Sequence, residues 1–164
     1  MKWSKLKNSI ENFFADSVKG RVELRSTRYH KAHDHEGRGY ITIDKKEIAS
    51  FCSISAWNAE FKLAEDIRKI SGATDYKNPD HQEDYYRAYN QAEGILHKQG
   101  IYSQYEFYDS LKSYLTLSID DALKSDNLII LALAIFDRRL GKRRIPLQKE
   151  SYRRHPTILR LKIF

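Results

Sequence analysis

The sequence is poor in cysteine, in proline and in long apolar runs, and each shortage excludes something. A single cysteine, Cys52, has no partner for an internal disulfide, which rules out a disulfide scaffold and suits a reducing compartment. Its place in a strand-like run predicts a small buried residue. Three prolines and seven glycines in 164 residues are too few for long linkers or low-complexity tracts. The longest apolar run, Leu128 to Phe136, has nine residues, against the roughly 20 that a membrane span needs. The chain does not open with a charged segment followed by an apolar stretch, so it shows no signal-peptide pattern. Gly-rich phosphate loops, Ser/His/Asp or Cys/His arrangements and CxxC pairs are also missing. These absences predict a soluble, cytoplasmic protein with no membrane partner and no cofactor, and they indicate no small-molecule ligand.

What is present is enough apolar residue, 41%, to build a core, and a charge that is unevenly placed. From Arg138 to Phe164 there are ten Lys/Arg and one acid, Glu150, so this end carries +9 where the whole chain carries +7. Residues 1–48 carry +4 and residues 49–137 carry −6. Such a tail either reaches an external polyanion or folds back to neutralise its own acidic middle.

The pattern predicts a single α+β domain over residues 1–164, with a helix plus β-meander in 1–54, a helical part in 55–141 and a basic tail in 142–164. Trp3, Leu6, Ile10, Phe13 and Phe14 recur at three- and four-residue steps, an amphipathic opening helix. The period then changes to two in Arg21 to Tyr29, where Val22 and Leu24 alternate with Glu23 and Arg25. Tyr40 to Ile43 reads as a second strand, Asp44 to Glu47 as a tight reversal, and Ile48 to Ser53 as a third strand. Beyond lie helical stripes. Ala56, Ala59, Leu63, Ile67 and Ile70 form one, stopped at Gly72; Tyr85, Tyr89, Ala92 and Leu96 form another, capped by Asp80. Ser103 with Glu106 makes a capping box, and Ser118 starts a short helix. The last helix, Asn127 to Leu140, is apolar on nearly every side and should be the central buried one.

Two stretches, Lys19 to Tyr29 with Asp34 to Glu47 and Ser125 to Arg143, resemble a family of small bacterial proteins of about this length with no assigned activity. The similarity runs along most of the chain and thins after Arg144. Some relatives lie among toxin-immunity genes, so the resemblance implies a protein-binding role. It carries over no catalytic or ligand residue.

Several constellations invite chemistry. His30, His33 and His35 with Asp34 and Glu36 form the densest set of metal-ligand types, although the spacing matches no common zinc module and a charged loop is ordinarily solvated. Asp34 and His35 with Asn58 resemble a nuclease set, but the second His ligand is missing. Asp44 and Lys46, with Glu23 or Asp34 upstream, resemble the carboxylate-x-lysine of metal-dependent phosphodiesterases. The same residues are also good turn chemistry. The helix–strand–strand–strand–helix order is shared with double-stranded-RNA-binding domains, yet Ser53 to Asn58 supplies none of the cations that grip phosphate there.

Two surfaces remain. Arg138, Arg139, Lys142, Arg143, Arg144, Arg153 and Arg154, with Arg25, Arg28, Arg38, Lys45 and Lys46 on the sheet, form a basic face. Guanidinium groups suit carboxylate or phosphate, so nucleic acid or an acidic protein is the partner this face predicts, through non-catalytic binding. The tail cations have candidates for internal pairing as well: Asp137 is placed to pair locally with Arg138 or Arg139, and Glu106, Asp109, Asp120 and Asp121 lie just upstream. The other surface is the acidic middle, where eight of eleven tyrosines fall between Tyr76 and Tyr114. Tyr86, Tyr102 and Tyr105 lie off the helical stripes and are its surface candidates, for an immunity-like or adaptor role binding a basic protein. A metal-dependent phosphodiesterase is the third reading.

Overall fold

The structure, a computed structural model, describes residues 1–31 and 36–141. It is α+β: an N-terminal helix, a three-stranded antiparallel sheet, then a mainly helical remainder. Helix α1, Trp3–Glu11, buries Leu6 and Ile10. Phe13 and Phe14 fall past its end, where the chain turns back: Ala15 N–H donates to Phe136 O at 2.7 Å and Arg138 N–H to Phe13 O at 2.8 Å. The opening stripe is therefore shared between a helix and the turn that ties it to the end of the fold.

The sheet comprises β1, Val22–Arg28, β2, Gly37–Ile43, and β3, Lys46–Cys52, in the order β1-β2-β3. The reversal between β2 and β3 is a two-residue loop, Asp44 and Lys45, with φ 49° and 68°. Both residues thus take the left-handed backbone that matches the twist of a hairpin. β2 begins earlier than its β-branched run suggests, because Gly37 and Gly39 belong to the ladder. A Cβ at Gly39 would sit 2.1 Å from the Phe107 ring, and one at Gly37 2.1 Å from Thr27 O. These glycines read as loop in the sequence and serve in the structure as places of close approach to the sheet.

Helix α2, Ser53–Ser71, follows β3 directly and stops at Gly72, whose φ of 78° allows a left-handed cap. Helix α3, Pro79–Lys98, is capped by Asn78 rather than Asp80, because Pro79 occupies the first helical position and the Asn78 side chain accepts from Asp80 N–H. Helix α4, Gln104–Tyr114, has the Ser103/Glu106 capping box, and Ser118 caps the short α5, Ile119–Ala122. Helix α6, Leu128–Phe136, is capped by Asn127 and buried at every position but Ile135. It ends before the expected Leu140. Asp137 turns extended, and its carboxylate caps a separate 3₁₀ turn, Arg138–Leu140.

Helices α1 and α4 pack on the sheet, and α6 packs against α4. Leu24, Ile41 and Phe51 join Phe107, Leu111, Tyr114, Leu133 and Phe136 in one core. Burying such side chains contributes about 2 kcal/mol each. Helices α2 and α3 pair with each other around a second, small cluster of Ala64, Ala88 and Ala92. That close approach re-aims the expected stripe. Ile70 is 89% exposed, whereas Arg68 is buried, its guanidinium 4.2 Å and 4.9 Å from the Tyr85 and Tyr89 rings. Tyr85 and Tyr89 are correspondingly half-buried beside a cation, with Tyr89 also packed against the alanine cluster. Among the described residues no helix is long and apolar enough to cross a membrane.

Candidate functional site

The basic face is divided by the structure. Arg25 donates to Glu23 on its own strand, and Arg38 donates to Glu47 at 2.9 Å while lying 4.5 Å over the Tyr40 ring. Arg21 makes a bidentate pair with Asp44, at 2.9 and 2.7 Å, so the carboxylate of the phosphodiesterase pattern serves the hairpin turn. That pairing holds Asp44 below its ordinary carboxyl range. Arg28, Lys45 and Lys46 are exposed and form no ion pair among the described residues.

Arg138 is exposed, but Arg139 is turned inward. Its guanidinium donates to both oxygens of the buried Asp137 and, at 3.1 Å, to Leu117 O, while lying 4.3 Å over the Phe13 ring. Tyr114 O–H donates to the same carboxylate at 2.5 Å. Burial, then this hydrogen bond, pushes the Tyr114 hydroxyl well above the usual phenol range. Asp137 is therefore the internal partner of Arg139, the local pairing that their closeness in sequence suggests. Asp109 pairs instead with Lys112, and Asp121 with Ser118. Lys142, Arg143, Arg144, Arg153 and Arg154 lie outside the described residues, as do His33, Asp34 and His35; His30 is exposed.

Of the surface tyrosines, Tyr86 and Tyr105 are exposed and Tyr102 is not. Tyr102 is 3% exposed because it lies in the loop before α4, where its ring turns into the core. Its hydroxyl accepts from Leu128 N–H at 3.1 Å, and its ring stacks on His97 at 4.6 Å and 11°. Cys52 is half-buried rather than buried, since it ends β3 and precedes the first turn of α2.

The structure brings together residues that the sequence patterns do not group, although Tyr105 and Glu106 are each singled out there separately. A groove of about 180 Å³ runs between α2, α3 and α4, lined by Trp57, Glu60, Glu93, His97, Tyr105 and Glu106 among others. Trp57 from α2 and Tyr105 from α4 stack as one wall, 6.4 Å apart and 14° from parallel, and are 47% and 49% exposed. Phe61, one turn on from Trp57, is 57% exposed. At the inner end His97 Nε2 is hydrogen-bonded to Glu106 Oε1, and Glu106 Oε2 accepts from Ser103 N–H at 2.6 Å. Glu93 stands one turn before His97 on α3, and ligand atoms of Glu93, His97 and Glu106 all lie within 4.8 Å of one another. Glu60 enters from α2. Burial, then the Glu93 and Glu106 carboxylates, pushes its carboxyl above the ordinary glutamate range, against a smaller pull from His97. No Lys or Arg is among the lining residues. The arrangement concentrates negative charge beside an exposed aromatic wall, which suits a cation. The one sequence signal for it is the Glu93-x-x-x-His97 spacing on a helix, which the denser His30/His33/His35 loop outweighs.

Fold and site together define a small α+β protein with an open acidic groove. The chain belongs to the SF0329 protein family, whose model matches residues 2–163, and no activity is assigned to that family. The resemblance to small uncharacterised proteins of this length thus holds along almost the whole chain. No curated protein matches it, and no solved structure does.

Proposed function

We propose that the protein is a non-catalytic binding module whose α2–α3–α4 face takes a cationic segment of a protein partner. One observation carries this reading. Of the large apolar or aromatic side chains exposed among the described residues, all but Met1 fall between Ile54 and Tyr105, on or between these helices, and two of them, Trp57 and Tyr105, line a groove with three carboxylates. Concentrated apolar surface beside uncompensated charge is the mark of an interface, with aromatics supplying contact area and the acids choosing a basic partner. Arginine is the side chain best suited, since it stacks on Trp and Tyr and pairs bidentately with carboxylate.

The test uses the fact that the chain has only two tryptophans. In a Trp3→Phe background, Trp57 alone reports, and titration with a short arginine-rich peptide should shift its emission saturably. Glu60→Gln and Phe61→Ala should each weaken that response several-fold. A flat emission, or a response indifferent to both substitutions, contradicts the reading.

A second reading keeps a polyanion, nucleic acid or an acidic protein, as the partner of the basic face. Its support is the exposed Arg28, Lys45 and Lys46, which make no ion pair among the described residues, together with the composition of the tail. Phosphate contacts would make such binding fall steeply with salt and depend little on sequence. Binding of short RNA or DNA that survives Lys45→Ala with Lys46→Ala, or that ignores salt, contradicts it.

A further inference from the structure

We infer that the inner end of the groove is a site for one divalent first-row transition-metal ion, held by Glu93, His97 and Glu106 with Glu60 beside them. The inference goes beyond the partner-binding reading and is tested without any partner. Its first ground is geometric. Ligand atoms within 4.8 Å of one another come from two separate helices, α3 and α4, and Glu60 lines the same groove from a third. In a tetrahedral zinc site, ligand atoms about 2.1 Å from the metal stand roughly 3.4 Å apart, so small side-chain rotations would suffice to close this set. The second ground is the donor chemistry. One imidazole with carboxylates and no thiolate matches Zn²⁺, Mn²⁺ or Co²⁺ better than soft Cu⁺ or the all-oxygen sites of Ca²⁺.

The third ground is the support behind the ligands. The His97 ring is held flat against buried Tyr102, whose hydroxyl is fixed by Leu128 N–H, and the far oxygen of Glu106 is fixed by Ser103 N–H. Metal ligands are ordinarily oriented by such outer contacts. An ordinary capping box with a His–Glu pair accounts for Glu106 and His97. It does not account for Glu93 four residues before the same imidazole, or for a third carboxyl, Glu60, lining the same groove with no Lys or Arg beside it. A divalent ion would supply the missing positive charge.

The experiment is calorimetric titration of the full, chelator-treated chain with Zn²⁺ and with Co²⁺, the cobalt absorption spectrum reporting an imidazole-bearing, low-coordinate site. Two arms locate the ion. Glu93→Gln alters an exposed side chain outside both apolar clusters, and His97→Gln removes the nitrogen donor. The third arm, His33→Asn with His35→Asn, removes the competing histidine loop. The expected result is one equivalent of metal, weakened at least about 10-fold by Glu93→Gln and by His97→Gln and unchanged by the loop variant. If His97→Gln unfolds the chain, Glu93→Gln decides alone. Absence of binding to either ion, or binding abolished by the loop variant and untouched by Glu93→Gln, overturns the inference. A failed metal titration would leave the Trp57 response to peptide standing, and a failed peptide titration would leave the metal site standing.

Discussion

The sheet with α1, α4 and α6, and the paired helices α2 and α3, treat aromatic residues in opposite ways. The first region puts Phe14, Phe51, Phe107, Tyr114 and Phe136 into its core, where they pack edge-on or stacked. The second builds its interior from Ala64, Ala88 and Ala92 and carries Trp57, Phe61, Tyr76 and Tyr86 outside. Small residues let two helices approach closely, so rings are kept to the margin of that interior, where Tyr89 packs half-buried against the alanines. Charge divides the same way. On the sheet side Arg21, Arg25 and Arg38 each have a carboxylate, while in the groove Glu60, Glu93 and Glu106 share one imidazole. One region commits its side chains to stability and the other exposes them, which is why the second is the candidate for recognition.

Substitutions of graded effect test that contrast. The largest is expected at Asp137, whose buried carboxylate takes the Tyr114 hydroxyl, the Arg139 guanidinium and Arg139 N–H at once. Asp137→Ala would leave a guanidinium and a phenol hydroxyl without their partner, costing about 4 kcal/mol in urea unfolding. Next is Gly39→Ala, where the added methyl meets the Phe107 ring; overpacking of this kind costs about 3 kcal/mol and should lower the melting temperature sharply. Glu60→Gln probes the electrostatic half of the contrast. Because the Glu60 carboxyl is raised in the fold, the folded chain holds its proton more tightly than the unfolded one. Stability is therefore full below the ordinary glutamate range and falls as pH rises through the raised value. The Gln variant should be more stable than the parent at neutral pH and should lose that advantage as acid protonates the parent. Phe61→Ala is the smallest, below about 0.5 kcal/mol because the ring is exposed, while the peptide response is weakened several-fold. A large stability loss there would mean the ring is structural.

Local signals are legible in the sequence, and long-range ones are not. The Ser103/Glu106 box, the Ser118 cap, the Gly72 stop and the Asp44 reversal depend on residues within a few positions of one another, and all are present. The all-apolar run of α6 likewise announces its burial. Tyr102 departs from its expected exposure because a loop residue has no periodicity to show which way its ring points. Gly39 reads as loop because the ring that requires it, Phe107, is far away in sequence on another element. The groove is hidden for the same reason. Its carboxylates come from α2, α3 and α4, and of Glu60, Glu93, His97 and Glu106 only Glu93 and His97 share a helix.

The most direct test of the groove as a recognition surface is a titration of nitrogen-labelled protein with the arginine-rich peptide, followed by backbone amide shifts. Saturable shifts are expected along α2, along the second half of α3 and at the start of α4, with the Trp57 indole among them and the sheet unmoved. Shifts centred on Tyr40 and its neighbouring strands, with α2 and α3 silent, would contradict a docking site in the groove.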